Sequence, residues 1–247
     1  CMLHPITEQA FNELAKQGYN RIPLVAETFA DLDTPLSLYL KLANKPFSYL
    51  LESVQGGERF GRYSFIGLPA DTRITIRGKN VTLTQPSGDT THTVDNPLDY
   101  IQQYQSQFKV APLSGLPRFT GGLAGYFGYD TVRYIEPRLA QTQKKDVIGT
   151  PDILLMLTEQ LAVVDNLSGK LTFIVYADPA KSDSYRNSLI ILNNLQNELR
   201  KSVTIPNAHS FPKEQAQSEF GEAAFKAAVE KSRRYIFDGD IMQVVLS

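Results

Sequence analysis

The chain has 247 residues, 42% of them hydrophobic, which is enough to bury a substantial core and fits one large domain or one and a half ordinary ones. Twenty-five basic residues against 26 acidic ones leave a net charge of -1, so no global field favours nucleic acid or an anionic membrane as a partner. The single cysteine, Cys1, excludes an internal disulfide framework and a multi-cysteine zinc site, and no apolar run approaches the roughly 20 residues of a membrane span. A cytoplasmic, unexported protein is the expectation.

Thr7 is placed to cap a first helix carrying Phe11 and Leu14. Thr34-Pro35 opens a second helix in the pattern of a capping residue followed by an N1 proline, with Leu36, Tyr39 and Leu42 on one side. Asn96-Pro97 repeats the signal before Leu98, Ile101, Tyr104 and Phe108 at helical spacing. Between these helices the period falls to two. Residues 73–77 and 81–84 alternate across the turn Gly78-Lys79-Asn80, a half-buried antiparallel hairpin. Residues 160–165 and 171–176 form a second hairpin, whose longer apolar runs predict strands covered on both faces. Tyr185, Leu189, Leu192, Leu195 and Leu199 line one face of a long helix, and the polar, proline-containing stretch 201–217 reads as a linker. A last helix carries Phe225, Val229 and Ile236 and stops at Gly239. Residues 241–247 then read as a strand without turn or polar tail, which suggests an incomplete chain. Hairpins interspersed with packing helices predict an α+β domain built on antiparallel sheets.

Several chemistries are disfavoured. His4, His92 and His209 stand apart in sequence and form no paired metal-ligand motif, and no Gly-x-Ser-x-Gly elbow occurs. The glycine-rich stretch 117–130 lacks the terminal Gly-Lys-Ser/Thr of a phosphate loop. Its glycines alternate with aromatics, so a strand bent and thinned by glycine is the preferred reading. The stretch 49–67 is richer in chemistry. A free amino acid needs an acceptor for its ammonium, donors for its carboxylate and an apolar wall. Glu52 can accept, Ser53 and Ser64 can do either, and Arg62 can donate bidentately. Leu51, Tyr63 and Phe65 can supply the wall. The same residues also fit a solvated Glu52 and Arg62 at strand ends with Tyr63 and Phe65 as core, and composition leaves the two readings even.

Four stretches together resemble the N-terminal part of the anthranilate synthase component I family of chorismate-using enzymes. They are Leu50-Leu51-Glu52-Ser53 with Gly61-Arg62-Tyr63-Ser64-Phe65-Ile66-Gly67, the stretch 119–130, Thr150-Pro151-Asp152, and the terminal stretch 235–247. Order and spacing carry the resemblance, which runs from about Phe11 to the last residue. It implies orthogonally packed antiparallel sheets with helices outside, and an enzyme that converts chorismate and ammonia to anthranilate and pyruvate in tryptophan biosynthesis. Magnesium would be its cofactor, and a glutamine amidotransferase subunit, component II, would supply the ammonia. L-tryptophan would inhibit by binding at Leu51, Glu52 and Ser53, a role that the resemblance extends to Arg62, Tyr63, Ser64 and Phe65.

The same resemblance divides the chain into a regulatory domain, 1–210, and the truncated start of a chorismate-binding catalytic domain, 211–247. The family's catalytic and magnesium-binding residues lie beyond that start, so the expectation is an inactive fragment with no catalytic or metal-binding residue of its own. Component I of aminodeoxychorismate synthase, which shares the fold and substrate, is the nearest alternative. A stand-alone amino-acid-binding module is the other.

Overall fold

A computed structural model of the chain describes residues 2–3, 5–52, 61–112, 114–115, 117–141, 146, 148–207, 210–213 and 215–246. It divides into two compact units, Cys1–Ile205 and Pro206–Ser247.

In the first unit, β1 (Met2–Leu3), α1 (Glu8–Lys16), β2 (Ile22–Phe29), α2 (Pro35–Leu42) and β3 (Tyr49–Leu51) come first. The strands β4 (Tyr63–Gly67), β5 (Arg73–Arg77), β6 (Asn80–Gln85) and β7 (Gly88–Thr93) lead to α3 (Pro97–Ser106) and β8 (Gly122–Phe127). Two single-turn helices, α4 (Val132–Ile135) and α5 (Pro137–Ala140), precede β9 (Ile153–Thr158), β10 (Gln160–Asp165), β11 (Lys170–Ala177) and α6 (Ser184–Leu199). One sheet has the order β1-β2-β11-β10-β4-β3 and the other β7-β6-β5-β9-β8. Every pairing in both is antiparallel, and the fold is α+β.

Helix starts fall where the side chains can satisfy the free amides of a first turn. The Thr7 hydroxyl accepts from Ala10 N at 3.2 Å, and Asn96 Oδ1 accepts from Leu98 N at 3.0 Å. Thr34 and Ser37 form a reciprocal capping box ahead of α2, at 3.1 and 2.9 Å. The first hairpin closes more tightly than its sequence suggests. Asn80 already pairs with Arg77, leaving Gly78 and Lys79 as the turn, with Gly78 at φ +56°.

The six-stranded sheet is covered on both faces. On one face Leu24, Ala26, Ile66 and Phe173 pack against Phe11 of α1, Leu38 of α2 and Leu192 of α6. On the other, Leu161, Val163 and Ile174 meet Tyr49, Tyr63, Phe65 and Phe119. This accounts for the unbroken apolar runs of β10 and β11, because alternate residues enter different cores. The second sheet buries Ile74, Ile76, Val81 and Ile153 against Ile101 and Tyr104 of α3. Each such side chain, removed from water, contributes roughly 1.5–3 kcal/mol.

The glycine-rich stretch is a strand. A methyl group on Gly125 would drive into the carbonyl oxygen of Leu154, so glycine here allows β8 to approach β9 closely. The aromatics beside it do not become core: Tyr126, Phe127 and Tyr129 are exposed.

In the second unit α7 (Glu222–Phe237) ends at Gly239, whose φ is +80°. The strand expected at 241–247 is not formed among the described residues, where 241–246 have no regular structure. Extended backbone becomes a strand only when a neighbour accepts and donates along it, and no described strand pairs with this stretch.

Candidate functional site

Strands β3 and β4 bring the two halves of the stretch 49–67 side by side. Leu51 lies directly opposite Phe65 and Leu50 opposite Ile66. Residues opposite one another share a face, so Tyr49, Leu51, Tyr63 and Phe65 stand together on the side away from α1 and α2. The Phe65 ring meets Phe119 edge-on at 5.3 Å and lies 6.4 Å from Tyr63. Leu51, at the strand end, is half exposed, and Glu52 beside it is exposed. Glu52 makes no hydrogen bond or ion pair with another described residue. Ser53 lies outside the described residues.

Arg62 has a carboxylate already. Its Nε donates to both oxygens of Asp165, at 3.1 and 3.2 Å, and its Nη2 to Oδ2 at 2.8 Å. Asp165 ends β10 directly opposite Tyr63, and the guanidinium also sits 5.0 Å from the Tyr63 ring. The hydrogen bonds from Arg62 hold the Asp165 carboxyl down to about 2, against an ordinary value of 3.8, helped by Ser168 and the Leu167 amide and opposed by burial. Arg62 Nη1 carries no hydrogen bond among the described residues, and the Arg62 side chain is 42% exposed.

Ser64 does not join the group. Successive residues of a strand face opposite ways, and its hydroxyl is fully buried on the helix-covered side, accepting from Asn166 Nδ2 at 3.0 Å. The structure thus places Leu51, Glu52, Arg62, Tyr63 and Phe65 around one strand end and sets Ser64 behind it. Asp165 and Asn166 were not identified from sequence. They lie about a hundred residues from their partners, and the only local signal was the turn 166–170, which says nothing of which strand it will meet.

Tyr49 is a further residue that sequence reasoning left out. Its ring lies flat against Gly67, where any side chain would collide with it, and its hydroxyl meets Thr158 Oγ1 at 2.9 Å. Burial pushes the Tyr49 hydroxyl up, so it stays a neutral partner. None of Leu51, Glu52, Arg62, Tyr63 or Phe65 lines either of two clefts, of about 350 and 360 Å³, found among the described residues. The described residues contain no group of three or more His, Cys, Asp or Glu side chains that could hold a metal ion. No helix among them is long and apolar enough to cross a membrane.

Comparison with known proteins adds identity to this geometry. Residues 48–247 match the family model described as chorismate binding enzyme. Over 98% of its length the chain is 55% identical to anthranilate synthase component 1 of Neisseria gonorrhoeae, and over 98% it is 45% identical to that of Pseudomonas putida. The match covers 50% of each of those proteins, so the chain spans about half the length of the relatives it matches. Among solved structures, anthranilate synthase component I from Streptococcus pneumoniae TIGR4 superposes with a TM-score of 0.51 at 23% identity. That likeness covers 86% of this chain and 46% of that one, and it supports the fold. With the family model covering 48–247, the chain belongs to the chorismate binding enzyme family and is similar to about half of anthranilate synthase component 1.

Proposed function

We propose that this chain is the tryptophan-sensing part of an anthranilate synthase component I. The whole enzyme would convert chorismate, with ammonia from a glutamine amidotransferase subunit, to anthranilate and pyruvate in the cytoplasm. The observation that carries the reading is the pairing of β3 with β4, which sets Leu51 opposite Phe65 at the strand ends adjoining Glu52 on one side and Arg62 and Tyr63 on the other, in a chain 55% identical to such enzymes.

In this reading the exposed Glu52 carboxylate takes the amino-acid ammonium, and Leu51 with the Phe65 ring provides the wall for the indole. Asp165 holds two nitrogens of Arg62 and leaves Nη1 to donate to the ligand carboxylate. Ser53 keeps its proposed place as a hydroxyl contact. The Ser64 hydroxyl acts only by bracing the Asn166 turn. Magnesium would be held by the half of the relatives that the match does not reach.

The chain contains no tryptophan, so indole emission in a titration comes from added ligand alone. L-tryptophan should show saturable polarisation, and Glu52→Gln should weaken it by about tenfold or more, the value of a charge-assisted hydrogen bond. Unchanged affinity in Glu52→Gln would reject the assignment of this strand end.

A further inference from the structure

The chain passes from the second sheet to the first through Thr158, Glu159 and Gln160, and a cleft of about 350 Å³ opens beside that crossing. It lies within the size range of small-ligand sites and shares no residue with the strand end described above. Phe108 and Tyr176 supply aromatic walls, and Leu123 and Leu157 aliphatic ones. Gly121 and Gly122 form a stretch bare of side chains. Their φ values of +142° and +110° are left-handed backbone that disfavours other residues, and open space lies where a Gly122 side chain would project.

Arg21 and Glu159 line the cleft, and Asp178 adjoins Arg21 outside the lining. Arg21 donates from Nε to Glu159 Oε1 at 2.7 Å and pairs through Nη1 with Asp178 at 3.3 Å, so one guanidinium faces two carboxylates. Arg21 Nη1 also reaches the Asn20 carbonyl at 2.6 Å and the guanidinium stacks on Phe108 at 4.7 Å, while Nη2 makes no hydrogen bond among the described residues. The Ala180 amide donates to the other oxygen of Asp178 at 3.0 Å. Glu159 Oε2 makes no hydrogen bond to another described residue, and Glu159, part-buried, lines the cleft. A part-buried carboxylate oxygen with spare capacity, next to aromatic walls and in a group where two carboxylates share one guanidinium, can accept from a hydrogen-bonding cation.

We propose that this cleft binds a small molecule bearing a primary ammonium group on an aromatic body, with the ammonium on Glu159 and the ring between Phe108 and Tyr176. The site shares no residue with Leu51, Glu52, Arg62, Tyr63 and Phe65 of the proposed tryptophan site.

Tryptamine, an indole with an ammonium and no carboxylate, is a probe visible without background in a tryptophan-free chain. Indole-3-propionate, its carboxylate counterpart, is the control. Tryptamine should bind saturably and shift the backbone amide resonances of Gly121 and Gly122, while indole-3-propionate should not. Glu159→Gln should weaken tryptamine by about tenfold. Because that change also loosens Arg21, Gln105→Lys provides a second test. Gln105 lines the cleft from the exposed face of α3, and a cation there should repel the probe without touching the core. Glu52→Gln should leave tryptamine binding at the cleft unchanged. Equal binding in wild type, Glu159→Gln and Gln105→Lys would overturn the proposal, as would loss of binding in Glu52→Gln alone or no binding up to the probe's solubility.

Discussion

Asp165→Asn keeps the shape of the side chain that anchors Arg62 and removes its charge. In the folded protein the Asp165 carboxyl titrates at about 2 instead of 3.8, chiefly because Arg62 donates to it. At about 1.4 kcal/mol for each pH unit of displacement, that is about 2 kcal/mol of stability at neutral pH. The Asp165 side chain is 12% exposed but that of Arg62 is 42% exposed, so solvent screening reduces the net value to about 1 kcal/mol. The folded-state value is depressed, so this stability is present in full above pH 3.8 and is lost as pH falls through about 2. Urea unfolding of wild type and Asp165→Asn at a series of pH values measures it. The variant should be less stable by about 1 kcal/mol at pH 7, and the gap should close as the pH approaches 2. A gap that stays constant from pH 7 to pH 2 would show that the loss arises from packing and not from the ion pair.

Gly125→Ala places a methyl against the Leu154 carbonyl, so β8 must move off β9 at a cost of about 1–3 kcal/mol or more. Hydrogen exchange should speed up at the backbone amides of Gly122–Phe127, and unchanged protection would contradict the close approach. Leu192→Ala empties a fully buried position where α6 meets the first sheet and should cost about 2–5 kcal/mol, read as a lower urea midpoint with an unaltered slope. Tyr49→Phe removes the hydrogen bond to Thr158 while keeping the ring on Gly67, so stability should fall by about 1 kcal/mol.

Local signals carried much of this fold. Thr7, Thr34-Pro35 and Asn96-Pro97 each begin a helix because the capping chemistry is complete within four residues of chain. The paired strands β10 and β11 were legible because both sheet faces are covered, which left an apolar signature strong enough to see. The strand β7 was not. Gly88–Thr93 is exposed throughout and rich in threonine, so it holds its place by the ladder to β6 and not by a pattern of burial. The stretch 241–246 shows the converse, an apolar run with strand composition that pairs with no strand among the described residues. At the candidate site, side-chain types in the stretch 49–67 were informative about chemistry but silent about direction. Alternation along β4 puts Tyr63 and Phe65 on one face and Ser64 on the other. Arg62 takes its carboxylate from a strand about a hundred residues away, a pairing set by sheet order alone.

The account stands most directly on where L-tryptophan binds, and backbone amide resonances recorded during a titration report that residue by residue. The largest changes should fall on Leu51, Glu52 and Arg62 through Phe65. Changes confined to other parts of the chain, or none as tryptophan is raised to its solubility, would contradict the assignment.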